Sequence, residues 1–342
     1  MESSTASTPR MSLLEVLDRT FRLYRENLLL YLVITAAVLI PVTLIQAALG
    51  VGATSNAALV NSGRLTQAQA TQMTTQLCGS AIISLLIALV QNVLLIGVIT
   101  YISSEKILGR SATIGEAFSA ALNRAVPLII GNVLLWIVLV AILFAGTLVS
   151  LACPPIFAAL IGLVAYIAVA ISGLMTPILL LENVGAVAGI NRAWGLGKRR
   201  FWTVLGLFFI LSVIGLILGA AIGLVAGVLV DTTNLSAYQT VTTISSLLVS
   251  IVITPLTPIG QTALYYDTRN RLEGLDLALA SSGAAAPRPS DVESPPIPNS
   301  LSTQDLINIG IIIGVALLFV LVLQGSTELL LRLIPGAGSL PR

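Results

Sequence analysis

Seven long stretches of the chain carry no charged side chain: Leu28–Gly52, Ser80–Ile102, Pro127–Leu151, Ile156–Leu181, Thr203–Val230, Val241–Leu264 and Leu306–Gln324. Each is close to the length, about 20 mostly apolar residues, that a helix needs to cross the hydrocarbon of a bilayer. No water reaches a backbone amide there, so such a segment crosses as a helix, which bonds its own N–H and C=O groups. The third and fourth stretches belong to one uncharged run from Ala125 to Leu181, too long for a single helix. Cys153-Pro154-Pro155 supplies the break, because proline removes a helix hydrogen bond and disfavours helix before it. Composition agrees, with 56% apolar and 9% charged residues, whereas a soluble domain devotes about 25% to charge. The residues predict an all-α, polytopic helical membrane protein with seven spans. Met1–Pro9 holds no lysine or arginine, and the apolar run from Leu28 is too long for the core of a cleavable signal, so none is expected.

Lysine and arginine in short loops stay on the cytoplasmic side. With the amino terminus inside, 14 basic residues fall in cytoplasmic segments and 3 outside (Arg64, Arg332 and Arg342). The expected location is a bacterial cytoplasmic membrane, with the N-terminus cytoplasmic and the C-terminus outside.

Composition also divides the chain. Residues 1–11 read as a disordered tail and 12–279 as a six-span membrane domain. Residues 280–304 form a Pro/Ala/Ser-rich cytoplasmic linker, with Ala284-Ala-Ala-Pro-Arg-Pro-Ser290 and Ser294-Pro-Pro-Ile-Pro298 unable to bury a core. Residues 305–342 give a C-terminal transmembrane helix and a short outer tail, in which Thr327–Ile334 reads as a separate amphipathic piece. Within the six-helix body a segment with basic residues precedes spans one, three and five: Leu14–Arg25, Ile114–Arg124 and Val187–Arg200. In the first, Leu14, Leu17, Phe21 and Tyr24 recur at spacings of three and four, the pattern of an interfacial amphipathic helix. The body therefore reads as three repeats, each an amphipathic helix plus a hairpin, in parallel orientation.

Several constellations admit more than one role. Arg19, Arg22, Arg25, Arg192, Lys198, Arg199, Arg200, Arg269 and Arg271 form a candidate surface for anionic lipid headgroups, a phosphorylated ligand or a membrane protein partner. The alternative is that they only fix topology, helped by i,i+4 pairs such as Glu15–Arg19 and Asp18–Arg22. Gly215, Gly219, Gly223 and Gly227 lie four residues apart along span five, a stripe that would let another helix backbone approach. Pro255 and Pro258 predict a kink in span six, structural or lining a substrate path as broken helices do in transporters. Gln91, Asn92 and Asn132 are uncharged polar residues within spans, suited to bridging helices.

The chain has no histidine, which removes Ser-His-Asp and Cys-His devices and histidine-ligated metal or haem. No charged residue lies inside a predicted span, which argues against proton relays and ion-coupled pumps. No phosphate-binding glycine loop appears, the net charge of +2 gives no general pull on nucleic acid, and no cofactor or metal is expected. A carboxylate-only enzyme, using Asp18, Glu182 or Asp267 at the cytoplasmic face, is left open. Cys78 and Cys153 fall at predicted outer ends of spans, where either a disulfide or two isolated thiols fits.

Three segments are more specific than composition: Leu17-Asp-Arg-Thr-Phe-Arg-Leu-Tyr-Arg-Glu-Asn27, Leu181-Glu-Asn-Val-Gly-Ala-Val-Ala-Gly-Ile-Asn-Arg-Ala-Trp194 with Arg200-Phe-Trp202, and Tyr265-Tyr-Asp-Thr-Arg-Asn-Arg-Leu-Glu-Gly-Leu-Asp-Leu277. Together they resemble bacterial membrane proteins related to the membrane domain of glycerophosphoryl diester phosphodiesterases, over roughly residues 12–279. The resemblance implies a six-helix body and an accessory role. In fused members, it implies, hydrolysis belongs to a separate soluble barrel, which this chain lacks, so no catalytic residue carries over. It also implies that Asp18, Arg19, Arg25, Glu182, Arg192, Tyr266, Asp267, Arg269, Arg271, Glu273 and Asp276 form a cytoplasmic surface. The expected function is a non-catalytic accessory, scaffold or lipid-interacting module. The alternatives are a permease for a lipid-like or small uncoupled substrate and, third, a membrane enzyme.

Overall fold

The computed structural model describes residues 12–49, 79–80, 83–150, 154–229, 235–282, 287–292, 294–295 and 299–333. The tail 1–11 and both cysteines lie outside them, so pairing of Cys78 with Cys153 does too. The described residues form α1 (Leu13–Glu26), α2 (Leu28–Ala48), α3 (Ile83–Ile107), α4 (Ile114–Asn123), α5 (Ala125–Ser150), α6 (Pro154–Leu181), α7 (Ala186–Gly197), α8 (Phe201–Leu229), α9 (Leu235–Ile253), α10 (Leu256–Glu273), α11 (Leu275–Ser281) and α12 (Thr303–Leu333). Among them there is no strand.

Six stretches are long and apolar enough to cross a membrane: Leu28–Ala48, Ile83–Ile107, Ala125–Val149, Ile156–Leu181, Ala186–Val225 and Thr240–Glu273. The chain is thus an all-α, multi-pass membrane protein. Leu306–Gln324, expected as a seventh span, is helical throughout within α12, whose described apolar stretch, Thr303–Phe319, is shorter than the other six. Residues 327–333 continue that helix instead of forming a separate surface piece, because nothing in Thr327–Leu333 breaks it.

Two of the amphipathic helices start at reciprocal caps. Ser12 Oγ accepts from the Glu15 amide while the Glu15 carboxylate accepts from the Ser12 amide, and Thr113 and Glu116 repeat the arrangement at α4. Each device satisfies two amides that a helix N-terminus leaves without partners. The face that α1 buries is Val16, Leu17, Thr20, Leu23 and Tyr24. Leu14, expected on that stripe, is 73% exposed. α1 packs on α10 and α8, which turns Val16, Thr20 and Leu23 inward and leaves Leu14 on the outward side.

The helix contacts repeat around a ring. The second helix of each hairpin packs on the amphipathic helix that follows it, α3 on α4 and α6 on α7, and α10 closes the circle on α1. α3, α6 and α10 also pack on one another at the centre. Burial is concentrated at one end of these helices, the end that carries the charged residues: Tyr31–Leu39 of α2, Val93–Glu105 of α3, Leu174–Glu182 around the end of α6 and Leu256–Arg269 of α10 hold most of the core. Lipid tails are as apolar as leucine, so burying these side chains gains little by itself. Close approach and polar bonding must contribute the rest.

Close approach occurs at glycines other than the predicted stripe. A Cβ on Gly197 of α7 would fall on the Ala170 carbonyl oxygen of α6, and one on Gly162 of α6 would lie 2.9 Å from Ile313 Cα of α12. By contrast, Gly219, Gly223 and Gly227 have nothing within 4 Å, and Gly215 meets only Ile253 Cγ2 at 3.7 Å, among the described residues. The described residues thus bring a neighbour to Gly215, on α9, and none to Gly219, Gly223 or Gly227.

Span six is broken at the predicted prolines. α9 ends at Ile253, Thr254 and Pro255 form a turn, and α10 resumes at Leu256. Carbonyls in the last turn of a helix lack helical donors. One of them, on Val252, accepts from the Tyr24 hydroxyl of α1 at 2.8 Å. Asn132 bonds the Leu128 carbonyl of its own helix at 2.9 Å through its side-chain amide. Asn92 lies in a widened, π-helical turn of α3, Asn92–Gly97.

Candidate functional site

The charged end is a floor of ion pairs joining three of the central helices to α7. Glu182 follows the last turn of α6, and Asn183, with φ of 57°, turns the chain toward α7. That left-handed conformation is one asparagine tolerates better than most residues. The Glu182 side chain is fully buried. Arg192 of α7 donates through Nε to Glu182 Oε2 and through Nη2 to Glu273 Oε2 at 2.5 Å. Arg269 of α10 donates through Nε to the same Glu273 oxygen at 2.7 Å and through Nη1 to the Tyr265 hydroxyl at 3.1 Å. Its Nη1 also lies 3.5 Å from Glu182 Oε1. Two carboxylates and two guanidiniums form a neutral, buried square.

Two residues before Arg269 on α10, Asp267 accepts from Arg200 Nη2 at 2.7 Å and from Arg271 Nε at 2.5 Å. Arg19 of α1 feels the same carboxylate, but burial and the neighbouring Arg22 dominate and its pKa is lowered from the ordinary value. On α3, Glu105 pairs with Arg110 at 3.0 Å and Arg288 at 3.2 Å. Ser104 and Tyr266 hydroxyls meet at 2.8 Å and tie α3 to α10.

The segment expected as a linker follows this floor as a strap. Arg110 Nη2 donates to the Pro287 carbonyl at 3.2 Å, Arg192 Nη1 to Pro295 at 3.1 Å and Trp194 Nε1 to Asn299 at 3.2 Å. Ser294 Oγ accepts from Arg269 at 3.3 Å and donates to Glu182 at 3.2 Å. The composition is right for a segment without a core, yet its carbonyls and hydroxyls supply what the arginines need.

At the start of α12, Asp305 takes the Tyr166 hydroxyl at 3.1 Å on Oδ1 and the Ser302 amide and hydroxyl at 2.7 and 2.8 Å on Oδ2. Lys198 Nζ lies 3.5 Å from Asp305 and also donates to the Ser300 carbonyl. Burial pushes the Asp305 carboxyl up, but the Ser302 bonds, with Tyr166 and Lys198, outweigh it and hold its pKa below the usual carboxylate value. Trp202 Nε1 donates to Asn308 Oδ1 at 3.0 Å.

Among the predicted surface residues, Arg192, Arg200, Arg269 and Arg271 are brought together in the ion-pair floor, and Lys198 joins α12. Arg269 and Lys198, with side chains 1% and 5% exposed, are interior residues, which corrects their placement on a surface: their charges face buried carboxylates. Arg22, Arg25 and Arg199 are exposed and Arg19 is half-buried. Sequence reasoning missed Glu105, Ser294, Tyr166 and Asp305. The pattern Ser302-x-x-Asp305, a helix-start signature, is the one signal that marks any of them.

Chemically, the carboxylates Glu182 and Asp267 each face guanidiniums. Among the described residues no three of His, Cys, Asp and Glu cluster as a metal would need. Clefts at this end are lined by Lys198–Thr203 with the start of α12, by Tyr101, Glu105 and Arg124 with Arg288, by Arg25–Leu30, and by Arg192 with the strap. No family model matches the chain, and neither a curated protein nor a solved structure shows significant similarity to it.

Proposed function

We propose that the chain is a non-catalytic accessory module of a bacterial cytoplasmic membrane, a scaffold whose charged end faces the cytoplasm and meets anionic lipid or a membrane protein partner. The observation that carries this reading is how the charge is used. Glu182 and Asp267, two of the three acids considered for a carboxylate enzyme, are each bonded to arginine, as is Glu273 beside them, so these carboxylates hold helices together. The face exposes Arg22, Arg25 and Arg199, with acids such as Glu15, Asp18 and Glu26 interspersed, beside apolar side chains such as Leu14, Val187 and Leu277. That mixture suits a headgroup layer. The resemblance to membrane domains of the phosphodiesterase family points the same way.

A permease is the second reading, favoured by the broken sixth span. The break, however, is packed: Leu256, Ile259 and Gly260 are buried and Tyr24 takes the Val252 carbonyl. The test is reconstitution of the full chain in phosphatidylglycerol-containing vesicles, following release of trapped solutes and dithionite quenching of inner-leaflet fluorescent lipid. Rates equal to protein-free vesicles are expected. Protein-dependent flux or lipid exchange overturns the scaffold in favour of the permease.

A further inference from the structure

We propose that the cleft between the α7–α8 elbow and the start of α12 seats one anionic phospholipid, its phosphate against Arg199 and its acyl chains along the apolar flanks of α8 and α12; this rests on the lipid-interacting reading above and names its site and ligand. Each amphipathic helix turns into its span through an elbow with a basic residue: Arg25 before Asn27, Arg124 itself, and the 3-10 turn Lys198–Arg200. A cleft lies at each. At the third elbow the opposite wall comes from α12, which brings Ser302, Gln304 and Asn308 to the far side of a cleft of about 580 Å³.

The charge at this elbow suits a phosphate. Lys198 and Arg200 are engaged with Asp305 and Asp267, while Arg199 is exposed and has no ion-pair or hydrogen-bond partner among the described residues. Asp305, the one acid in the lining, has both oxygens bonded to Tyr166 and Ser302. With Lys198 and Arg200 paired to Asp305 and Asp267, Arg199 is the cation left to give the cleft a positive charge. Next to the cleft the flanks are apolar: Leu205 of α8 and Ile309 and Ile312 of α12, partly buried, pack against Tyr166 and Phe201. Trp202, 47% exposed, lines the cleft, and tryptophan sits at membrane interfaces. A polar cleft beside the apolar flanks of two helices has the polarity order of a phospholipid. A free phosphate would use only the polar cleft.

The full chain in neutral detergent, titrated with phosphatidylglycerol or phosphatidylcholine and read by native mass spectrometry, tests this. One phosphatidylglycerol retained in preference to phosphatidylcholine is expected. Arg199→Gln should weaken that retention about tenfold, as loss of a charge-assisted hydrogen bond does, with Arg25→Gln near wild type. Arg199 has no partner to lose, so the variant keeps its fold, checked by size exclusion. Unchanged retention in Arg199→Gln, or equal loss in Arg25→Gln, overturns the seat in favour of diffuse surface charge. Displacement of the lipid by millimolar inorganic phosphate assigns the cleft to the free anion instead. Loss of the seat leaves the flux measurement untouched, so the two readings fail separately.

Discussion

Replacing Arg269 by methionine keeps most of the side-chain volume and removes one of the two cations from the buried square. Glu182 and Glu273, with side chains 0% and 3% exposed, then share Arg192 alone, and one negative charge is left without a counter-ion. Breaking a buried pair from one side costs about 3–5 kcal/mol, most of it the stranded charge. At roughly 2 °C per kcal/mol for a chain of this size, Tm should fall by about 6–10 °C. The double variant Arg269→Met/Glu273→Gln removes a cation and an anion together and leaves Arg192 facing Glu182. It should recover most of the loss, with a coupling of roughly 2 kcal/mol. Thermal unfolding in detergent, followed by intrinsic fluorescence and by the soluble fraction on size exclusion, measures both. A single variant within about 1 °C of wild type, or a double variant less stable than the single, would refute the claim that these charges hold α6, α7 and α10 together.

Gly197→Ala should destabilise severely or abolish folding, because its methyl group would overlap the Ala170 carbonyl, while Gly219→Ala and Gly223→Ala, with nothing within 4 Å, should leave Tm unchanged. Equal effects at the three sites would show that the described crossing of α6 and α7 is wrong. The lowered pKa of Asp305 predicts acid sensitivity of the α12 attachment. The folded value lies below the ordinary 3.8, so this contribution is present above that pH and fades as pH falls through the folded value. A melting series from neutral pH down to about 3 should show a loss in wild type that is absent from Asp305→Asn, and parallel curves would contradict it.

The spans were readable because hydropathy is a property of the chain taken locally: uninterrupted apolar runs and prolines are visible without knowing any neighbour. The break at Pro255 belongs to the same class. Pairing is not local. Glu182 meets Arg192 across a short turn, but it meets Arg269 and Ser294 from much later segments, and no spacing rule announces that. The glycine stripe on α8 shows the same limit from the other side: a period of four says which residues share a face, not whether anything approaches that face. Within α1 the spacing likewise does not say which apolar residues meet protein: Val16 and Leu23 are buried and Leu14 is exposed, and contact with α8 and α10 selects between them.

Closure of the ring by α10 against α1 gives the molecule an order of assembly. The ribosome delivers α1 first and α10 after every other part of the body, so the groove that α10 occupies beside α1 stays vacant until near the end of synthesis. Until then Glu182 and Arg192 have only each other, and the hydroxyl of Tyr24 lacks the carbonyl it will meet. A chain cut before α10 therefore leaves the ring open, with the Glu182–Arg192 pair short of Arg269 and Glu273, whereas one cut after α10 has the closing contact in hand.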